Sequence, residues 1–353
     1  MSKSRWMIYG ANGYTGHLIA EEARRQGLAP LLGGRNPAAV HALGSLLGME
    51  CRVFDLEQRS AADDALADVA VVVNCAGPFS ATAERMIEAC LNSGTHYVDI
   101  TGEITVFEHA HGLGEVARVS GIVLCPGVGF DVIPTDCVAA CLKHAMPDAS
   151  CLALGFDSSS GLSPGTAKTS LEGLKLGGKV RENGALRDVP LGYKRRDIDF
   201  GRGLRHAVTI PWGDVATAYY STGIGNIEVY LPTPPAVAMG MCLIDPLRPL
   251  LGMGRLQDWL KAQVQRRVHG PDDEARSRQR TWVWGEARNE RGERRIARLE
   301  TANGYEVTVH GALLAVRHLL DYRGPGGYFT PSQLFGERCV EELPGSGRIV
   351  IRG

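Results

Sequence analysis

Three glycines near the start of the chain have the clearest chemical reach: Gly10, Gly13 and Gly16, in Gly10-Ala-Asn-Gly-Tyr-Thr-Gly16. They stand between an apolar run and a helical pattern. A helix that starts there offers unpaired N–H groups and the positive end of its dipole, which together favour an anion. In this reading Gly10 permits the tight turn, Gly13 admits a pyrophosphate to the backbone and Gly16 lets helix pack on strand. Asn12, Tyr14 and Thr15 complete the loop around the ligand. The spacing G-x-x-G-x-x-G departs from the dinucleotide fingerprint G-x-G-x-x-G but serves the same geometry, provided it follows a strand and opens a helix.

Arg35 indicates which dinucleotide is held. An NAD-binding chain places Asp or Glu at the end of its second strand for the ribose hydroxyl. Here Leu31-Leu-Gly-Gly-Arg35 ends in a guanidinium, which can bind a 2′-phosphate bidentately. The expectation is NADPH in preference to NADH, the alternative for Arg35 being a solvated surface cation. Asp55, after the third strand, either accepts from the adenine amino group or caps the next helix. Ala76, Gly77 and Pro78 follow the fourth strand and are small enough for the nicotinamide half to lie against them. Cys75 has no His in its loop and reads as a small packing residue.

Hydride transfer also calls for a proton donor or charge stabiliser beside the reacting carbon. The candidates are Tyr97 and Glu103, with Asp99 between them, around the fifth strand's end, and Asp131 and Asp136 at a later helix start. Asp131 and Asp136 serve equally well as helix-stabilising charges. Glu103, next to Gly102, is the preferred carboxylate. Lys168, after Gly165-Thr166, can hold a substrate carboxylate or phosphate, or be an exposed lysine. Trp212, Asp214 and Tyr220 line the substrate side or pack a sheet. No Tyr is followed by Lys four residues on, so the short-chain dehydrogenase pair is absent, and no metal site is expected.

Elements that position these residues emerge from hydrophobic periodicity. Trp6–Tyr9, Pro30–Gly33, Arg52–Phe54, Val69–Val73, Tyr97–Ile100 and Ile122–Leu124 read as strands, separated by helical patterns. Asn36 caps the helix that starts at Pro37, and further helices are expected over residues 81–93, 106–119 and 131–145. This alternation gives βαβ units and a doubly wound parallel sheet. After about residue 150 the rhythm changes. Cys151–Phe156, Ala207–Ile210 and Ile227–Leu231 read as strands, a hairpin is expected over residues 281–301, and Glu306–Val309 reads as one more strand. Leu313–Leu320 is helical. The expected fold class is α/β: a Rossmann domain over residues 1–148, an α+β domain with a mixed or antiparallel sheet over 149–310 for substrate or dimerisation, and a segment 311–353 that returns to the Rossmann domain.

Composition narrows the partners. The 353 residues carry a formal net charge of −1 and are 44% hydrophobic, with no basic stripe of the kind nucleic acid demands. Nine cysteines, odd in number and without a C-x-x-C pair, fit a reducing, cytoplasmic setting rather than a disulfide framework. Gly254–Val268 sets Leu256, Trp259, Leu260 and Val264 on one helical face with basic residues elsewhere. Such a helix can lie on a membrane, although it more commonly packs on its own domain.

The motifs Gly10–Gly16, Asn74-Cys-Ala-Gly-Pro-Phe79, Tyr97-Val-Asp-Ile-Thr-Gly-Glu103 and Pro126-Gly-Val-Gly-Phe-Asp-Val-Ile-Pro-Thr-Asp136 resemble the saccharopine dehydrogenase-like NADP-binding proteins, in the branch that includes trans-acting enoyl reductases. The resemblance is most specific over residues 6–140 and continues loosely through Ile210–Val215 and Tyr220–Ile224 to Gly327–Pro331. It implies a Rossmann domain with a substrate domain inserted before the last elements. The expected activity is reduction, with NADPH, of a C=C or C=N bond in a small carbonyl, imine or acyl substrate. Two rivals are a non-catalytic NADP-binding sensor or scaffold and a peripheral membrane reductase of a lipid pathway.

Overall fold

The computed structural model describes residues 3–158, 177–245, 262–264 and 270–353. Lys168, and the Gly254–Val268 segment apart from helical residues 262–264, lie outside the described residues.

Along the chain, β1 (Arg5–Tyr9), α1 (Tyr14–Arg25), β2 (Leu31–Gly34), α2 (Pro37–Leu47), β3 (Cys51–Val53), α3 (Arg59–Leu66), β4 (Val69–Asn74), α4 (Phe79–Ser93) and β5 (His96–Asp99) alternate strictly. They are followed by α5 (Ile104–Gly112), α6 (Gly114–Val119), β6 (Val123–Cys125) and α7 (Ile133–Ala145). A strand-rich region then runs through β7 (Cys151–Ser158), β8 (Gly178–Glu182), β9 (Ala185–Val189), β10 (Arg195–Asp199) and β11 (Leu204–Thr209). It continues with α8 (Asp214–Thr222), β12 (Asn226–Pro232), α9 (Pro235–Ile244), α10 (Asp273–Arg278), β13 (Arg280–Arg288) and β14 (Arg294–Ala302). The chain ends with α11 (Gly304–Leu320), β15 (Gly327–Tyr328), α12 (Pro331–Phe335) and β16 (Val350–Arg352).

Two compact units result. The first comprises Met1–Ile133 and Tyr305–Phe335, the second Pro134–Gly304 and Gly336–Gly353. In the first, seven parallel strands lie in the order β15-β6-β5-β4-β1-β2-β3. This is the doubly wound Rossmann arrangement, and its strand order reverses between β1 and β4, where such sheets bind ligands. Val71, Val72 and Val73 are wholly buried, as a central strand covered on both faces requires. Asn36 accepts the Ala39 N–H at 3.2 Å and Pro37 occupies the first helical turn, so α2 starts where its sequence directs.

In the second unit a nine-stranded mixed sheet runs β10-β11-β12-β7-β13-β14-β16, with the β8–β9 hairpin branching from β12. Among the described residues of this sheet, only β12 and β7 pair in parallel. The expected strand Glu306–Val309 is instead part of α11. Its Val-Thr-Val alternation imitates a strand, but burial of Val307, Gly311, Leu313, Ala315 and Leu319 shows a helix enclosed nearly all round. Among the described residues no helix is long and apolar enough to cross a membrane.

Candidate functional site

The glycine loop lies at the switch point. Gly10 holds φ at +78°, and a Cβ there would stand 2.7 Å from the Ala76 nitrogen, so the loops after β1 and β4 touch backbone to backbone. A Cβ on Gly16 would overlap the Gly10 carbonyl oxygen, which is why α1 can begin so close to the strand it follows. Gly13 is different. Its missing side chain would meet only the Gly10 oxygen, at 3.2 Å, and the residue is exposed. As the N-cap of α1, Gly13 supplies no side-chain cap, and no acidic residue stands in the helix's first turn. The loop is thus open on the side where an anion would approach a helix N-terminus.

The other nucleotide candidates lie in the same unit. Exposed Asn12 lies beside Gly34, where a Cβ would come within 3.1 Å of the Asn12 Oδ1. Tyr14 packs edge-on against Tyr305 with ring centroids 5.1 Å apart. Arg35 follows β2 directly, is exposed and forms no ion pair among the described residues. Asp55 Oδ1 accepts the Glu57 N–H at 3.0 Å, a turn bond just after β3. Asn74 shapes the β4 loop: its Oδ1 accepts the Ala76 N–H at 3.1 Å, and its Nδ2 donates to Thr82, whose hydroxyl donates to the Ala76 carbonyl. Ala76 and Pro78 are half-buried and Gly77 is exposed.

The proton-donor candidates occupy three different settings. Tyr97 is fully buried in the sheet core and donates to Asp99 Oδ2 at 2.5 Å. Asp99 also accepts the N–H groups of Thr101 and Gly127, at 3.0 and 2.8 Å, so it ties the β5 and β6 loops together. Desolvation raises its pKa to about 6 despite these donors. Glu103 Oε1 and Oε2 accept the N–H groups of Phe79 and Ser80, each at 2.8 Å, at the start of α4. Asp131 is partly buried and packs against Gly102, whose Cβ would fall 2.9 Å from Asp131 Oδ2. Desolvation pushes the Asp131 carboxyl up to about 7. Glu103 and Asp131 therefore flank Gly102 on adjoining loops, whereas Tyr97 lies beneath them. In the second unit, Asp214 is buried at the start of α8, Trp212 packs on Phe156 and Tyr220 packs on Tyr219.

Two contributors came from far along the chain. Tyr305 packs on Tyr14, and the Thr308 hydroxyl accepts the Phe130 N–H at 3.0 Å. Reading residues 306–309 as a strand concealed both. Asn74 lies within the Asn74–Phe79 motif, so its loop-shaping bonds had a visible signal.

The residues present fit a dinucleotide: an uncapped helix start, a cradle only glycine allows, and after β2 a guanidinium without an ion pair among the described residues. Residues 6–120 match the saccharopine dehydrogenase NADP binding domain family. A saccharopine dehydrogenase-like oxidoreductase of Mus musculus is 28% identical over 152 residues, which is 37% of this chain and 35% of that protein. A trans-acting enoyl reductase of Mycobacterium leprae (strain TN) is 30% identical over 138 residues, 37% of this chain and 33% of its own length. These matches thus span about a third of the relatives' length. Apo saccharopine dehydrogenase (L-Glu forming) from Saccharomyces cerevisiae superposes with a TM-score of 0.68 over 99% of both chains at 12% identity, which shows a shared fold. Residues 6–120 of the first unit thus resemble a saccharopine dehydrogenase NADP binding domain, on a fold shared with the yeast enzyme.

Proposed function

We propose that this chain is an NADPH-dependent oxidoreductase that reduces a C=C or C=N bond in a small carbonyl, imine or acyl substrate. One observation carries the reading beyond cofactor binding: Asp131 packs against Gly102 on the loops that follow β5 and β6, where desolvation pushes its carboxyl up to about 7. A carboxyl poised there is partly protonated at neutral pH and can give up its proton during reaction, as a general acid should. Bound NADPH supplies the hydride. Asp131 delivers the proton to the atom that gains negative charge, and the Gly10–Gly16 loop with Arg35 holds the diphosphate and 2′-phosphate ends. Asp55 would accept from the adenine side, and Ala76, Gly77 and Pro78 would line the nicotinamide end. Glu103 acts as a positioning residue, since both its oxygens are engaged by α4. The names of the relatives, an oxidoreductase and an enoyl reductase, agree with this class of chemistry.

NADPH consumption, followed across a panel of enoyl-thioesters, imines and 2-oxo acids, tests the proposal. Turnover of at least one class, lost in Asp131→Asn, is expected. Tight NADPH binding with no turnover of any class points instead to an NADP-sensing role.

A further inference from the structure

The second unit carries a charged cavity that shares no residue with the nucleotide crevice. Its sheet does not stay open. Arg196 of β10, at one end of the strand order, donates to both oxygens of Glu286 on β13 at 3.1 Å. Arg298 of β14 donates to the Asp199 main-chain oxygen at 2.9 Å and to its side chain at 3.1 Å. The sheet therefore curls until β10 lies over β13 and β14, enclosing an apolar interior of Ala153, Ile198, Phe200, Ala207, Tyr230 and Trp284.

The composition of this interior changes in steps along three neighbouring strands. Side chains two apart share a face, and the register aligns them in rungs. Tyr230, Gly155 and Trp284 form the innermost rung, Glu228, Ala153 and Glu286 the next, and Asn226, Cys151 and Arg288 the outermost. The central strand thus contributes only small residues, flanked by aromatic rings in the innermost rung, by carboxylates in the next and by Asn226 and Arg288 in the outermost. A cavity of about 240 Å³ stands above this floor. Such mouths of curled sheets are where ligands commonly sit.

Charge decides what fits. The lining holds four cations, Arg181, Lys194, Arg196 and Arg288, against three carboxylates, Glu182, Glu228 and Glu286. Each carboxylate is already matched: Glu182 by Arg187, Glu228 by Lys194 and Glu286 by Arg196. Arg288 is exposed at the rim and forms no ion pair among the described residues. We infer that the mouth of the curled sheet binds a small oxyanion, a carboxylate or a phosphate, through Arg288 above the Ala153 floor. The volume admits only a compact guest, below the range of about 300–1,000 Å³ common for drug-sized ligands.

Titration of the full chain with glutarate and with inorganic phosphate, at ionic strength matched with sodium chloride, tests this by thermal shift and tryptophan fluorescence. Saturable binding of at least one is expected, and the tighter of the two identifies the kind of oxyanion. Arg288→Gln should weaken it about tenfold or more, the loss expected for a charge-assisted contact. Ala153→Leu, which fills the floor without altering charge, should do the same, and neither change should alter NADPH affinity. No saturable response up to about 10 mM overturns the inference. So does an equal response in wild type and Arg288→Gln.

Discussion

Glu103 Oε1 accepts the main-chain N–H of Phe79 at 2.8 Å, reaching from the β5 loop to the first turn of α4. Its second oxygen takes the Ser80 N–H, so the start of α4 is closed to any other anion. The start of α1 has no such cap. Of these two helices, α1 starts without a side-chain cap, the setting in which a helix N-terminus favours a phosphate.

That contrast makes Glu103 a structural clamp with a measurable worth. Glu103→Ala removes two charge-assisted hydrogen bonds and a favourable charge at a helix start. A loss of about 1–3 kcal/mol in unfolding free energy is expected from urea denaturation. Glu103→Gln, which keeps one acceptor, should lose less. Stability unchanged in both variants would contradict the clamp.

Gly13 and Gly16 should separate binding from folding. Gly16→Ala forces a methyl into the Gly10 carbonyl, so its melting temperature should fall. Gly13→Ala meets one oxygen at 3.2 Å, and its backbone, with φ −77°, suits any residue. That variant should fold and yet bind NADPH at least about tenfold more weakly, roughly 1.4 kcal/mol. Circular dichroism melts alongside NADPH fluorescence titrations check both, and wild-type affinity in Gly13→Ala would mean the phosphates lie elsewhere.

Arg35 should set the preference between cofactors. It is exposed and forms no ion pair among the described residues, so its guanidinium is available to a 2′-phosphate. Wild type should bind NADPH more tightly than NADH, and Arg35→Ala should narrow the gap by about 1–3 kcal/mol. Equal wild-type affinities for the two nucleotides would remove Arg35 from this role.

Much of the first unit was legible because its signals are local. The β-branched run Val69–Val73, the Asn36-Pro37 helix start and the Gly10–Gly16 loop each announce an element within a few residues. The hairpin over β13 and β14 was equally plain, its turn closing through Gly292 N–H to the Asn289 carbonyl at 3.1 Å. Strands β8, β9 and β10 were not legible. Their sequences, such as Arg195-Arg-Asp-Ile-Asp199, place charges where periodicity looks for apolar residues, because one face of the curled sheet is built from ion pairs such as Arg196–Glu286. Contacts between distant segments were equally hidden. Nothing near Tyr14 indicates that Tyr305 will pack on it, and three-residue β16 has too little pattern to show that it pairs with β14. Within the site, residue types favoured Glu103 over Asp131, and only the folded chain shows Glu103 bonded to the start of α4 and desolvation pushing the Asp131 carboxyl up to about 7.

Asp131 should give the molecule a pH dependence of definite sign. Desolvation pushes its carboxyl up to about 7 in the folded chain, against about 3.9 in an unfolded one. The native state therefore holds the proton more tightly between those values. This contribution to stability is complete below about pH 3.9 and is lost as pH rises through about 7. Asp131→Asn, neutral at every pH, should escape that loss and gain on wild type in urea midpoints taken at about pH 6 and about pH 8. Turnover should follow the same titration, because only the protonated carboxyl can donate. Wild-type kcat should fall as pH rises through about 7, and Asp131→Asn should lower it by about 10²–10⁴-fold and flatten that limb. A wild-type profile flat across this range, with undiminished turnover in Asp131→Asn, would assign the proton to another group.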